Sequence, residues 1–139
     1  MAYFESSAFL KLFLNEEGSD DARQIWTLAA ETFTVRITYA EVRAAIAAAK
    51  RAARIDTRTF EAAKKAFAVR FGDVSVIDAG DRVVRLAGDL AERWSLRGYD
   101  AVHLGAAGLA GAGGDLVFVT WDRRLAEAAR SEGLRTAGI

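Results

Sequence analysis

Apolar residues fall into two patterns along this chain: short continuous runs, and longer stretches in which they recur every three or four positions. Short apolar runs predict buried strands, and the three-to-four spacing predicts helices with one apolar face. Strands are predicted at residues 2–4, 34–37, 74–77 and 116–119, and a further edge strand at 134–136 is compatible with the pattern. Helices are predicted at residues 7–14, 22–29, 39–53, 56–71, 81–96, 101–110 and 123–130.

This alternation predicts an α/β fold with a mostly parallel central sheet that helices cover on both faces. The two adjacent helices between residues 38 and 71 predict a helical hairpin inserted between two strands. No linker, repeat or low-complexity tract interrupts the pattern, so we expect a single domain over residues 1–139. A glycine-rich stretch at 108–114 follows a helix and precedes a strand. Phosphate-binding loops have the opposite order, so this stretch is interpreted as helix termination and a turn.

Composition narrows the kinds of metal site that the chain can build. It has 139 residues, 52% of them hydrophobic, with no cysteine and a single histidine, His103. Thiolate sites and zinc sites made of several imidazoles are therefore excluded, and any metal must be held mainly by oxygen. Nineteen basic and nineteen acidic residues cancel, which is mild evidence against a broad electrostatic contact with nucleic acid.

The chain opens with a strand-like run rather than with a basic segment followed by an apolar signal. No apolar run approaches the roughly 20 residues that are needed to cross a membrane. We therefore expect a cytoplasmic protein without membrane contact.

Four acidic residues lie where predicted strands give way to helices. Glu5 ends the first strand, and Glu41 lies in the first turn after the second. Asp100 precedes a helix, and Asp122 directly follows the strand at 116–119. The carboxyl ends of parallel strands form the ligand crevice of an open sheet, so Glu5, Glu41 and Asp122 are predicted to face one edge. Asp100 joins them only if its helix begins at the same edge.

Each acid also has a local explanation. Thr38 and Glu41 fit a capping box, and Asp100 and Asp122 are both suitable N-caps. Glu5 would be a solvated strand end beside a serine that caps the next helix. The set is harder to explain in this way, because clustered carboxylates repel one another and push at least one towards protonation. A divalent cation that prefers oxygen ligands, Mg²⁺ or Mn²⁺, removes this conflict.

The segments around the four acids follow a known pattern. YFESSAFLKL at 3–12 is a strand that ends in an acid with a serine two residues later, and TYAE at 38–41 has a hydroxyl residue three before a glutamate. GYDAVHL at 98–104 places an aspartate at the start of a small-residue helix, and FVTWDRRL at 118–125 is a strand followed by Thr-x-Asp. In order and spacing, the four segments resemble the motifs of PIN-domain toxins of the VapC type, and they span nearly the whole chain.

This resemblance implies a PIN-like three-layer α/β/α sandwich and a Mg²⁺- or Mn²⁺-dependent endoribonuclease. It also implies the toxin of a VapBC-type toxin–antitoxin pair, a cognate VapB-type antitoxin as partner, and a homodimer. Carried over position by position, the catalytic residues are Glu5, Glu41, Asp100 and Asp122. Metal ligation is expected from Glu5, Asp100 and Asp122, whereas Glu41 is a candidate to orient the attacking water. The expected supporting residues are Ser7, Thr38, Thr120 and Arg123.

The first motif departs from the family at one position, where Glu5 stands in place of the usual aspartate. The extra methylene moves the carboxylate by roughly one bond length, and Mg²⁺ demands near-ideal octahedral geometry. We therefore hypothesise that the site binds Mg²⁺ poorly, favours Mn²⁺ or is partly disabled. The alternative function is then a degenerate PIN domain that binds RNA or a protein partner with little or no cleavage. A third hypothesis is a different metal-dependent phosphohydrolase on an α/β fold. The sequence lacks the Walker loop or the Asp-x-Asp nucleophile that such an enzyme would be expected to have.

Two further features have competing interpretations. His103 lies one helical turn after Asp100, but we favour a packing role because hydrolysis through a metal-bound water needs no imidazole. The stripe formed by Phe60, Phe67 and Phe71 is interpreted as core or as a surface for an antitoxin helix.

Overall fold

Five strands and seven helices follow one another in the computed structural model, which describes all 139 residues. The strands are β1 (Ala2–Phe4), β2 (Thr32–Val35), β3 (Ser75–Ile77), β4 (Val117–Thr120) and β5 (Arg135–Gly138). The helices are α1 (Ser6–Leu10), α2 (Ser19–Leu28), α3 (Thr38–Arg51), α4 (Thr57–Gly72), α5 (Asp81–Trp94), α6 (Gly98–Ala110) and α7 (Arg123–Ser131). Every predicted element is present, and the edge strand exists as β5. None of the helices combines the length and the apolar character needed to span a bilayer.

All five strands run parallel, in the order β3-β2-β1-β4-β5. The chain therefore builds the sheet outward from β1 in one direction, and then returns to add β4 and β5 on the other side. The switch point lies between β1 and β4, where Phe4 is paired with Val119. In open parallel sheets the crevice for ligands forms at such a point, beyond the carboxyl ends of the strands.

The two faces of the sheet carry separate hydrophobic cores. Successive side chains of a strand point to opposite faces, so Tyr3 packs with residues of α5, α6 and α7, whereas Phe4 packs with residues of α1, α3 and α4. The α3–α4 hairpin lies between β2 and β3 in the chain, as predicted, and covers the face of the sheet to which Phe4 points. The result is the expected three-layer α/β/α arrangement.

Helices α5 and α6 pack closely because α6 presents a glycine to its neighbour. A Cβ atom on Gly105 would lie 3.3 Å from the carbonyl oxygen of Val83 and 3.4 Å from the backbone nitrogen of Ala87. Small residues of this kind let two backbones approach each other. The packing fixes α6, which carries two of the residues discussed below, Asp100 and His103.

Helix α1 is shorter than the predicted helix over residues 7–14. After Leu10 the backbone tightens, with hydrogen bonds of 3.1 Å from Leu12 N to Phe9 O and 3.0 Å from Phe13 N to Leu10 O. These bonds join residues three apart, the pattern of a tight final turn. Phe67 is fully buried and contacts the rings of Phe9 and Phe13, so the core interpretation of the aromatic stripe is confirmed at its centre.

Candidate functional site

Glu5 leaves β1 and caps the helix that follows. Its Oε2 accepts a 2.8 Å hydrogen bond from the Ser7 backbone N–H, and its Oε1 accepts a 3.1 Å bond from that of Ala8. The hydroxyl of Ser7 also donates to Oε1. Glu5 is only 5% exposed. The local explanation of Glu5 as a solvated strand end is therefore wrong, because the first amides of α1 are satisfied by Glu5 itself.

Asp122 occupies the matching position after β4. Its Oδ1 accepts a 2.9 Å hydrogen bond from the backbone N–H of Leu125, so the N-cap prediction is confirmed. The Thr120 hydroxyl accepts a 3.0 Å bond from the Asp122 backbone N–H. The Ser7 hydroxyl oxygen accepts a 3.2 Å bond from the backbone N–H of Trp121. Ser7 thus ties the carboxyl end of β1 to that of β4, and Thr120 contacts the backbone of Asp122.

Asp100 does not cap α6. The helix begins at Gly98, with Arg97 in an extended conformation as its N-cap, and Asp100 lies in the first turn without a side-chain capping bond. The N-cap interpretation of Asp100 is therefore wrong, because α6 starts three residues earlier than the predicted helix. Asp100 is half-buried and shares a cavity of about 190 Å³ with Asp122. The cavity is also lined by Leu96, Arg97, Arg124 and Leu125.

The charges around Asp100 show that the acidic residues act on one another. Burial raises the pKa of Asp100, and the negative charges of Asp122 and Glu5 raise it further. His103 and Arg97 oppose this rise without cancelling it. Like charges near a half-buried carboxyl disfavour its ionised form. The pKa of Asp100 therefore lies above its ordinary value, and a cation in this cavity would relieve the repulsion.

Glu41 lies on α3 and binds side chains rather than its own helix end. Its Oε2 accepts hydrogen bonds of 2.6 Å from the Ser6 hydroxyl and 2.8 Å from Nε2 of His103. The residue before α3 is Ile37, which forms no side-chain cap. The predicted capping box is therefore wrong, and the side chain of Thr38 contributes instead to a buried pair with Thr34.

Thr38 and Thr34 are both fully buried, and their hydroxyls lie 2.7 Å apart. The Thr34 hydroxyl donates a 2.7 Å hydrogen bond to the carbonyl of Phe4, so the Thr38 hydroxyl serves as donor to Thr34. This chain of bonds holds the start of α3 against the end of β1, directly before Glu5. Thr38 is therefore linked to the backbone that precedes Glu5.

The pKa of Glu41 results from opposing effects. Burial by itself raises the pKa of Glu41, but hydrogen bonding to His103, the charge of His103 and the hydrogen bond from Ser6 together lower it below the ordinary value. Glu41 is thus ionised at neutral pH and can accept hydrogen bonds only.

His103, Ser6 and Tyr3 make up the part of the site that the sequence analysis did not assign. His103 is 1% exposed, so its packing role is confirmed, but its ring also bonds Glu41 through Nε2 and lies 3.0 Å from the Tyr3 hydroxyl at Nδ1. One signal was present in the sequence. Tyr3 stands two residues before Glu5, which places both side chains on the same face of β1.

Whether these side chains fit a divalent metal can be judged from their arrangement. No group of three or more His, Asp or Glu side chains is placed so that it could hold a metal ion. Asp100 and Asp122 do line one cavity, and Mg²⁺ is commonly held by one or two carboxylates while it keeps several waters. The donor set therefore fits a hydrated Mg²⁺ or Mn²⁺ held by this pair. Both carboxylate oxygens of Glu5 accept hydrogen bonds from backbone N–H groups of α1. Arg123 is exposed at the start of α7.

Comparison with known proteins identifies the family. A family model described as PIN domain matches residues 2–131. The ribonucleases VapC45 and VapC49 of Mycobacterium tuberculosis are each 37% identical to this chain over 137 residues, which covers 99% of this chain and 94% of the relative.

Solved structures agree with this result at the level of the fold. VapC20 of Mycobacterium tuberculosis, a sarcin-ricin loop cleaving toxin, superposes with a TM-score of 0.67 at 16% identity and covers 92% of this chain and 95% of its own. VapBC2 of Rickettsia felis, bound to a promoter DNA fragment, gives a TM-score of 0.66 at 12% identity over 99% and 98% of the two chains. With a family model that matches most of its length and relatives that are more than one-third identical, this chain belongs to the PIN-domain family.

Proposed function

We propose that this protein is a metal-dependent endoribonuclease and the toxin of a VapBC-type toxin–antitoxin pair. The observation that carries the proposal is the cavity shared by Asp100 and Asp122, the second of which follows the carboxyl end of β4 in the parallel sheet. Burial, and then the negative charges of Asp122 and Glu5, raise the pKa of Asp100, which is the electrostatic situation that a divalent cation stabilises. The VapC ribonucleases that resemble the chain along its whole length support RNA as the substrate.

Each acid has a role that follows from its surroundings. Asp100 and Asp122 would hold Mg²⁺ or Mn²⁺ in their shared cavity, with Glu5 adding negative charge nearby. A bound divalent ion supplies Lewis acidity and lowers the pKa of water. Glu41, kept ionised by its hydrogen bonds, would orient the attacking water and accept its proton. Arg97 and Arg124 line the same cavity and would contact the RNA phosphate.

We infer two protein partners for the same chain. One solved structure with this fold is a toxin–antitoxin complex from Klebsiella pneumoniae, and VapBC-1 of nontypeable Haemophilus influenzae has the same fold. A cognate VapB-type antitoxin is therefore the proposed inhibitor. A homodimer is the proposed form of the toxin.

Glu5 supports a second candidate function, a degenerate PIN domain that binds RNA or a protein partner with little or no cleavage. Both carboxylate oxygens of Glu5 accept hydrogen bonds from the start of α1. A metal ion would have to compete with these backbone donors for the same oxygens. Loss of Glu5 as a ligand would leave two carboxylates for the ion, and weaker binding of Mg²⁺ follows.

A cleavage assay with matched variants separates the two functions. RNA is incubated with the native chain, Asp100→Asn and, as a control, Asp89→Asn, which removes an exposed acid of α5 outside the cavity. We expect Mn²⁺-stimulated cleavage that Asp100→Asn reduces at least about 100-fold, since metal-supplied charge stabilisation is worth several kcal/mol. Asp89→Asn should behave as the native chain does. RNA binding without cleavage in either metal would favour the degenerate domain.

The role of Glu5 is tested by Glu5→Asp. Aspartate is a preferred N-cap, so α1 should keep its cap while the carboxylate is drawn back by one methylene. We expect cleavage in Mg²⁺ to increase relative to cleavage in Mn²⁺. Equal activity of the two proteins in Mg²⁺ would refute the hypothesis that Glu5 impairs the site.

A further inference from the structure

A line of buried polar groups leads from the core to Glu41. The Tyr3 hydroxyl lies 3.0 Å from Nδ1 of His103, and Nε2 of His103 lies 2.8 Å from Oε2 of Glu41. Tyr3 and His103 are 0% and 1% exposed. Tyr3 belongs to β1, His103 to α6 and Glu41 to α3. The hydrogen bonds therefore join a strand to helices that cover opposite faces of the sheet.

The chemistry of the end groups decides which atom donates at each step. Glu41 is ionised and can only accept, so Nε2 of His103 must carry the hydrogen of the 2.8 Å bond. Tyr3 is fully buried, and a tyrosine hydroxyl keeps its hydrogen at neutral pH. Tyr3 therefore stays a phenol and donates to Nδ1. The Tyr3 hydroxyl and the Glu41 carboxylate thus favour the same tautomer, the one that has its hydrogen on Nε2.

We propose that Tyr3 and His103 are positioning residues that act through Glu41. His103 and Ser6 both donate to Oε2, which fixes the carboxylate and leaves Oε1 outside these bonds for the attacking water. Tyr3 acts one step further back, because it keeps the Nε2–H of His103 directed at Glu41. This assignment rests on the proposed function in so far as Glu41 acts on the water.

Three substitutions test this order of action. His103→Gln retains an amide N–H in place of Nε2–H, His103→Leu removes every donor, and Tyr3→Phe removes only the hydroxyl. Mutation of a residue that orients a functional side chain without touching the substrate typically lowers activity roughly 10- to 100-fold. We expect His103→Leu to lower kcat by about that factor with KM unchanged, His103→Gln to recover most of the loss, and Tyr3→Phe to lower kcat by a smaller factor.

A change confined to kcat indicates an interaction that matters in the transition state rather than in substrate binding. Thermal unfolding of each variant shows whether it is folded at the assay temperature. A folded His103→Leu protein with native kcat would overturn the proposal. So would a folded His103→Gln protein that is as impaired as His103→Leu.

The hydrogen-bond assignment can be checked without any cleavage. His103 is the single histidine of the chain, so the imidazole ¹⁵N signals belong to this residue, and their couplings to the ring C–H protons distinguish Nδ1 from Nε2. At pH 8 we expect Nε2 to carry a proton in the native chain and in Tyr3→Phe, and we expect the Nδ1 signal to shift in Tyr3→Phe, because Nδ1 then loses the hydroxyl that donates to it. An Nε2 without a proton in the native chain would refute the proposal. If the native chain fails to cleave RNA in either metal, the proposed function fails, while this spectrum still decides whether Tyr3 and His103 hold Glu41.

Discussion

Replacing Asp100 by asparagine should have two opposite effects on stability, one without metal and one with it. Burial and the charges of Asp122 and Glu5 raise the pKa of Asp100 in the folded state. A carboxyl whose pKa rises on folding destabilises the folded state at every pH above that raised value, where it is ionised. Asparagine carries no charge, so the metal-free variant should unfold at the same temperature as the native chain or higher at pH 8. This advantage should vanish below about pH 3.9, the ordinary aspartate value, where both side chains are neutral.

The effect of metal has the other sign. A ligand that binds only the folded chain at 100 times its Kd stabilises it by about 2.7 kcal/mol. For a chain of this length each kcal/mol shifts Tm by roughly 4 °C, so the native protein should gain roughly 10 °C in saturating Mn²⁺. Asp100→Asn removes one of the two carboxylates that line the cavity. We therefore expect the variant to lose most of this gain.

Thermal unfolding followed by circular dichroism, with chelator or with Mn²⁺ at matched ionic strength, measures both effects. Asp89→Asn is the control, because it removes a negative charge that lies outside the cavity and should leave the metal-induced shift intact. A protein damaged by the substitution would unfold earlier in chelator. Equal metal-induced shifts in native chain and Asp100→Asn would refute the metal site.

Substitutions at Asp122, Gly18 and Glu41 test other contacts of the structure. Asp122→Asn should keep the cap of α7 and the stability of the metal-free chain but lose the metal-induced shift in Tm. Asp122→Ala should lose the shift as well, and should also lose about 1 kcal/mol of stability in urea unfolding. Equal stability of the two metal-free variants would contradict the capping role. Gly18→Ala should cost about 1–3 kcal/mol in the same assay, because Gly18 has a φ of +83° and a Cβ there would clash with the indole of Trp121; native stability would show that Trp121 moves freely. Glu41→Gln should reduce stability at pH 7, and the deficit should shrink as pH falls below the ordinary glutamate value of about 4.3. The reason is that the lowered pKa of Glu41 stabilises the fold above that value and ceases to do so as pH falls through the lowered pKa. A deficit that does not change with pH would refute this assignment.

Local sequence was sufficient to predict the elements and the family. The period of the apolar residues changes with each strand and helix, so the α/β alternation and the α3–α4 hairpin could be predicted without knowledge of any long-range contact. The position of Asp122 as an N-cap could also be predicted, because its partner Leu125 is three residues away. Such interactions depend on neighbours in the chain alone.

The surroundings of Glu41 and Asp100 depended on where distant elements meet. The capping box at Thr38 was a reasonable local prediction, but Glu41 instead accepts hydrogen bonds from Ser6 and His103, which lie 35 and 62 positions away. Helix α6 likewise begins at Gly98, three residues before its predicted start. Asp100 therefore lies in the first turn and lines a cavity instead of capping the helix.

The sequence by itself thus determined which residues carry charge and which elements carry those residues. Only the tertiary structure decided that Glu41 binds Ser6 and His103 through Oε2, and that Asp100 lines a cavity with Asp122. The physical reason is that a side-chain carboxylate has several donors of similar strength within reach, and the packing of α1, α3 and α6 around the end of β1 selects among them.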